Sequence, residues 1–165
     1  MFIDKLKIFF LFITIIGTIF FIYLVIKNYN FDNSNLDEKI LKKIYEKQII
    51  LQNLSLKKFA VKEKFPIIIS NKMPSNLFGA ATLTTDDKIV IYLNKKRFKE
   101  SVDYMISDVL PHEYAHAIMF KLKDISNKNG GHTKKWQSIC KALNGLRCNR
   151  FVNNQDIIIN KTSFF

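Results

Sequence analysis

The chain has 165 residues and a formal net charge of +12, and only three of its 26 basic residues are arginine. Once a membrane-length apolar segment is set aside, about 130 residues remain, enough for one domain with a real core. The lysines are spread along the chain and are not gathered into a stripe with aromatic residues. This pattern favours a solvated surface, or one that faces anionic lipid headgroups, over a nucleic-acid groove.

The N-terminal segment is apolar over the length of a membrane span. The nineteen residues from Ile8 to Ile26 carry no charge and show no polar face. They predict a single-pass transmembrane anchor within residues 1–27, followed by a polar spacer at 28–35. A cleaved signal peptide is the alternative, but no small-x-small cleavage pattern follows. Lysines flank the span on both sides, so the side on which the domain lies stays open.

Residues 36–165 predict one α+β domain. The stretch "LDEKILKKIYEKQIILQNL" has the helical spacing of an amphipathic helix, whose apolar positions are Ile40, Leu41, Ile44, Tyr45 and Leu51. "FPIIIS" predicts a short buried strand. "AATLTT" and "KIVIYL", joined at Asp86-Asp87, predict a hairpin.

A helix is expected to begin at Ser101 and to be bent or interrupted at Pro111, which has no backbone N–H to donate. After a bend at Asn129-Gly130-Gly131, "HTKKWQSICKAL" predicts a second helix with Trp136 in the core. Its buried stripe also includes Ile139, Cys140 and Leu143. A final strand is expected at "DIIIN".

The sequence "LPHEYAHAIMF" places two histidines around a glutamate in an apolar run. His112 and His116 are four residues apart, so on a helix their imidazoles lie one turn apart on one face. Glu113 projects about 100° away, beside such a site but not necessarily within it. This is the H-E-x-x-H pattern of zinc peptidases, in which the glutamate is the general base.

A catalytic zinc site takes a third protein ligand and leaves one position to water. His132 is the only other histidine in the chain, and no glutamate follows Glu113. Metzincins would need glycine and histidine at the positions that hold Met119 and Leu122. Peptide deformylases take a cysteine from before the motif, whereas both cysteines follow it. His132 is therefore the expected third ligand, with Asp124 and Asp156 as weaker alternatives.

Cys140 and Cys148 are eight residues apart. In an oxidising compartment they would be able to pair, but we expect reduced thiols that pack on the last helix.

The sequences "HEYAH" and "GGHTKKW", preceded by "FGAATLTTDDKIVIYLN", resemble the SprT-like zinc metallopeptidase domain family, of the bacterial SprT and Spartan type. The resemblance covers about residues 65–151. It implies a small zincin-like domain in which His112, His116 and His132 bind zinc and Glu113 is catalytic. Thr133 departs from the glycine that many members have after the third histidine. Known members act inside the cell, whereas a short basic N-terminus would favour export of the domain.

Two functions follow from these features. The first is a membrane-anchored metallopeptidase with one Zn²⁺ per chain, whose partners are protein or peptide substrates and the membrane. The second is a non-catalytic binding or scaffold protein that zinc stabilises. The sequence leaves the residue that would stabilise a developing oxyanion open among Tyr92, Tyr104, Arg147 and Arg150.

Overall fold

The computed structural model describes residues 2–124 and 131–150. The chain divides into two compact units, Met1–Asn35 and Leu36–Phe165. The second unit is an α+β domain with a three-stranded sheet, as the sequence predicts. The expected bend at Asn129-Gly130 and the expected strand at "DIIIN" lie outside the described residues.

The first unit is one long helix, α1 (Phe2–Asn33). It is long and apolar enough to cross a membrane, and none of its described residues is buried. The helix continues through residues 28–33, so most of the stretch that we expected to be a polar spacer is helical. Its apolar surface is therefore left without a protein partner within its own unit.

Helix α2 (Glu38–Phe59) begins at Asp37, whose side chain accepts a hydrogen bond from the N–H of Lys39 at 2.7 Å. It ends at Ala60 in the left-handed region, with φ 56°. The predicted amphipathic helix is thus confirmed, and Ile44 and Leu51 lie in the core. Two residues that we assigned to its apolar face behave differently, because Leu41 is 42% exposed and Tyr45 is 54% exposed.

The sheet has the order β1-β3-β2, with strands β1 (Ile67–Ser70), β2 (Gly79–Leu83) and β3 (Ile89–Asn94). β2 and β3 form the predicted antiparallel hairpin, in which Ala81 lies opposite Ile91. β1 runs parallel to β3. The expectation that β1 is buried is wrong, because it is an edge strand and Ile68 is 44% exposed.

The histidine motif lies on a helix with an irregular beginning. Ser101 caps α3 (Val102–Tyr104), which continues through a π-helical turn at Met105–Val109 into α4 (Leu110–Lys121). The N–H of Leu110 donates to the carbonyl of Met105, five residues back. The next residue, Pro111, has no N–H to continue the usual pattern, so the predicted interruption falls at this point. α4 packs on β2 and β3.

The last described helix is α5 (Lys134–Ala142), in which Trp136, Ile139 and Cys140 are buried as predicted. The expectation of reduced cysteines is wrong, because Cys140 and Cys148 form a disulfide. The chain reverses at Asn144, whose φ is 60°, and this reversal brings the two Cα atoms to 5.7 Å. Gly145 is required there, since a Cβ atom would lie 2.7 Å from the sulfur of Cys140.

Gly79 allows β2 to approach α4, and its replacement tests this packing. A Cβ atom at Gly79 would lie 2.7 Å from Cγ of Glu113 and 3.1 Å from Cγ1 of Val109. We expect Gly79→Ala to lower the free energy of unfolding by about 1–3 kcal/mol, the usual effect of overpacking, as measured by urea denaturation. Gly17→Ala is the control, because nothing lies within 4 Å of that position. Equal stability of Gly79→Ala and the unaltered chain would show that β2 does not pack against Glu113.

Candidate metal centre

The three histidines converge on one small volume. The Nε2 atom of His132 lies 3.0 Å from Nε2 of His112 and 3.2 Å from Nε2 of His116. One ring nitrogen from each residue lies within 4.8 Å of the others. The structure therefore brings together all three of the expected zinc ligands, two from α4 and one from the segment just before α5.

Local structure explains this convergence. His112 and His116 lie one turn apart on α4, and both project from the same face. His132 precedes Thr133, whose hydroxyl caps α5 by accepting a hydrogen bond from the N–H of Trp136 at 3.2 Å. The departure from glycine at Thr133 thus has a structural reason, because the side chain starts the helix that follows His132.

Trp136 packs against all three imidazoles. Its ring centroid lies 4.6 Å from that of His112, 5.1 Å from that of His116 and 4.5 Å from that of His132. The side chain is 1% exposed, so the ring fills the space behind the histidines. The indole restricts the rotamers of its neighbours and holds the three rings in place.

The donor set suits a metal cation. Burial lowers the pKa of His112 to about 3, and the neighbouring imidazoles act in the same direction. Burial together with His132 lowers the pKa of His116 to about 4. Both rings are consequently neutral at pH 7 and offer nitrogen lone pairs. Three imidazole nitrogens within 4.8 Å of one another form the kind of ligand set that Zn²⁺ takes in catalytic sites.

The alternative ligands do not join this cluster. Asp124 pairs with Lys135 at 2.7 Å, and Asp156 lies outside the described residues. Within residues 2–124 and 131–150, the cluster consists of the three histidines alone. Three protein ligands and an open position are characteristic of catalytic zinc, whereas structural sites usually have four protein ligands.

Glu113 lies on α4 next to the first histidine and points into the protein. Its side chain is 7% exposed, and Oε2 accepts a hydrogen bond from the N–H of Ala81 at 3.0 Å. Burial raises the pKa of Glu113 to about 8, and the hydrogen bond from Ala81 acts in the opposite direction. A divalent cation at the histidines would also favour the ionised carboxylate.

β2 is an edge strand, and its open side is the one that Glu113 reaches. The N–H of Asn94 donates to the carbonyl of Phe78, and the N–H of Thr84 donates to the carbonyl of Lys88. The even-numbered residues of this hairpin therefore form the backbone hydrogen bonds between β2 and β3. Odd-numbered residues, including Ala81, therefore direct their backbone groups away from β3. Among residues 2–124 and 131–150 no further strand pairs with this edge of β2, so Glu113 lies at an open edge of the sheet, a relation that the sequence does not reveal.

A second group of side chains surrounds the beginning of this helix. Asp108 is buried one turn before His112. Its carboxylate accepts a hydrogen bond from the backbone N–H of Arg147 at 3.3 Å. The Arg147 guanidinium lies 5.6 Å from the ring of Tyr104. Burial raises the pKa of Tyr104 to about 12, with a further contribution from Asp108. Sequence reasoning missed Asp108, because nothing local marks an acidic residue as buried.

The other two candidate oxyanion residues are placed differently. Tyr92 lies between Ile91 and Leu93, which are fully buried, so its side chain points to the face of the sheet opposite α4. Arg150 is exposed. The structure thus groups Tyr104 with Arg147 near α4 and directs Tyr92 away from it.

The family model of the SprT-like family matches residues 47–157. The chain belongs to the SprT-like family. It is 29% identical over 104 residues to protein SprT of Vibrio parahaemolyticus serotype O3:K6 (strain RIMD 2210633), which covers 62% of this chain and 59% of that relative. This SprT-like chain therefore matches less than two thirds of the relative's length. No solved structure matches it significantly. The matched range includes the three histidines and excludes α1.

The metal centre predicts a specific loss of zinc. We expect the purified chain to hold close to one zinc ion, and His132→Ala to lose most of it because two imidazoles bind zinc far more weakly than three. Metal content after dialysis, measured by inductively coupled plasma mass spectrometry, provides the test. Asp124→Asn is the control and should keep its zinc, since Asp124 pairs with Lys135. Full zinc in His132→Ala together with loss in Asp124→Asn would reverse the assignment.

Proposed function

We propose that this chain is a membrane-anchored zinc metallopeptidase with a zincin-like domain, and that it hydrolyses peptide bonds in protein or peptide substrates. The observation that most supports the proposal is the position of Glu113. It lies on the helix that supplies two of the three converging imidazoles, and its carboxylate reaches the open edge of β2. A site that held zinc only for stability would have no need of this carboxylate.

His112, His116 and His132 would hold the metal, and Glu113 would act as the general base. Zinc, when bound, supplies a polarised water with a pKa near 7 and a Lewis acid for the scissile carbonyl. One oxygen of the Glu113 carboxylate takes a proton from the attacking water and passes it to the nitrogen of the leaving amine. The N–H of Ala81 holds the other oxygen, so the base keeps a fixed orientation during the transfer.

The edge of β2 is the proposed binding position for the substrate backbone. Apart from the N–H of Ala81, which donates to Glu113, its outward-facing backbone groups can pair with an extended peptide, which adds a strand to the sheet. Gly79 keeps this part of the strand close to α4, because a Cβ atom there would lie 2.7 Å from Cγ of Glu113. A peptide bound there lies beside Glu113, with its side chains directed alternately to the two faces of the sheet.

α1 is proposed as the membrane anchor, and the disulfide favours an oxidising compartment for the domain. Disulfides persist in secreted and periplasmic proteins and are rare in the cytosol. The Cys140–Cys148 bond therefore supports export of the domain across the membrane that α1 spans. In this respect we propose that the chain differs from the family members that act inside the cell.

Glu113→Gln separates the enzyme from the scaffold alternative. Glutamine has the same size and keeps an oxygen for the N–H of Ala81, but it cannot accept a proton. We expect hydrolysis of unfolded protein substrates to fall by about two to four orders of magnitude, while zinc content stays unchanged. Glu63→Gln is the control, because Glu63 pairs with Lys121 on the surface and should leave the rate unaltered. Equal rates for Glu113→Gln and the unaltered chain would exclude Glu113 as the base, and zinc binding without any hydrolysis would favour the scaffold.

Anchorage by α1 predicts resistance to carbonate. An apolar span of this length is integral to the bilayer, whereas binding through surface lysines alone is reversed by salt or alkali. We expect the full chain to stay in the membrane pellet after washing with carbonate and to enter the supernatant only with detergent. In intact cells, an added protease should remove the domain if it is exported. Release by carbonate would show that α1 is not a membrane span.

A further inference from the structure

Helix α2 has a second apolar face, distinct from the one that it buries. Its exposed members are spaced for one side of a helix and are 42%, 54%, 38% and 47% exposed, in the order Leu41, Tyr45, Ile49 and Leu56. We refer to these four residues as the α2 stripe. The core-facing side of the same helix, which includes Ile44 and Leu51, is centred about 100° away from the stripe around the helix axis.

The charges of α2 indicate what the stripe contacts. The helix has six lysines and only two acidic residues, Glu38 and Glu46. Lys42 is exposed and lies next to the stripe on the helix surface, and the ammonium group of Lys64 lies 4.8 Å from the ring of Tyr45. A helix with apolar residues on one side and lysines beside them has the character of an interfacial membrane helix.

The short connection between α1 and α2 tethers α2 to any membrane that α1 crosses. Five Cα–Cα steps connect Asn33, the end of α1, to Glu38, the start of α2, and they span at most about 18 Å. The effective concentration of a bilayer surface around the stripe is therefore high, and weak apolar contacts suffice to hold the helix there.

We propose that the α2 stripe docks on the surface of the bilayer that α1 spans, and that anionic lipids are its partner. This inference rests on the membrane anchorage proposed above. The stripe enters the boundary between headgroups and acyl chains, with the phenol of Tyr45 at headgroup level. The adjacent lysines keep their ammonium groups among the lipid phosphates while their aliphatic stems cover the apolar surface.

Two neighbouring isoleucines give a matched test. Ile49 belongs to the stripe, whereas Ile50 is also exposed, at 50%, but lies about 100° round the helix on its lysine-rich side. Ile49→Cys and Ile50→Cys are each labelled with a polarity-sensitive maleimide dye in the full chain. The native cysteines form a disulfide and do not take the label. The labelled chains are reconstituted into vesicles of phosphatidylcholine and phosphatidylglycerol that contain spin-labelled lipid.

We expect quenching at position 49 to exceed that at position 50 by at least about threefold, since a docked stripe lies roughly 5–10 Å into the boundary region. The difference should shrink in vesicles of phosphatidylcholine alone. Equal quenching at both positions in a chain that resists carbonate would overturn docking and leave the anchorage standing. Protection of position 49 that disappears as the protein is diluted in lipid would identify a second copy as the occupant and also overturn the proposal. A chain that carbonate removes would overturn both.

Discussion

The rest of the site depends on the convergence of three imidazole nitrogens, in which Nε2 of His132 lies 3.0 Å from that of His112 and 3.2 Å from that of His116. Three ring nitrogens that converge on one small volume can share a single cation through their lone pairs. The helix period aligns His112 with His116, and Thr133 begins the helix that follows His132. Trp136 contacts all three rings and is buried behind them. The same side chain therefore belongs to the hydrophobic core and holds the three histidines in place.

The proposed chemistry also needs a carboxylate, which Glu113 on α4 provides. The sheet fixes the position of this carboxylate through a backbone hydrogen bond. Glu113 is buried where β2 crosses α4, and Gly79 makes the crossing close enough for the N–H of Ala81 to hold its carboxylate. Because β2 is an edge strand among the described residues, we propose that an extended peptide binds along the same side of its backbone. The proposed base and the proposed substrate edge therefore come from the packing of α4 on one hairpin, whereas His132 joins the histidine cluster from the segment before α5.

The sequence predicts much of this arrangement because the signals are local. The spacing of His112 and His116, the hairpin around Asp86-Asp87 and the stripe through Trp136 each depend on a few neighbouring residues. The contact of Gly79 with Glu113 and that of Asp108 with Arg147 join distant parts of the chain, and no periodicity indicates them. The disulfide also depends on a reversal at Asn144 that spacing alone does not fix.

Helix α2 illustrates a further limit of periodicity. Its apolar residues cover a wide arc, and the sequence alone does not show which of them the domain buries. The core takes Ile44 and Leu51 but leaves Leu41 and Tyr45 exposed. The SprT-like match begins at residue 47, within α2, so α1 and the first half of α2 lie outside it. The features on which the proposed membrane contacts depend thus lie mainly before the start of the family match.

X-ray absorption spectroscopy at the zinc K edge tests the metal centre most directly. For the zinc-loaded chain, we expect three imidazole nitrogens at about 2.0–2.1 Å and one further oxygen ligand from solvent. The outer-shell scattering of three imidazole rings should be visible. A sulfur shell at about 2.3 Å, or scattering from only one or two imidazoles, would contradict the assignment of His112, His116 and His132 as the zinc site.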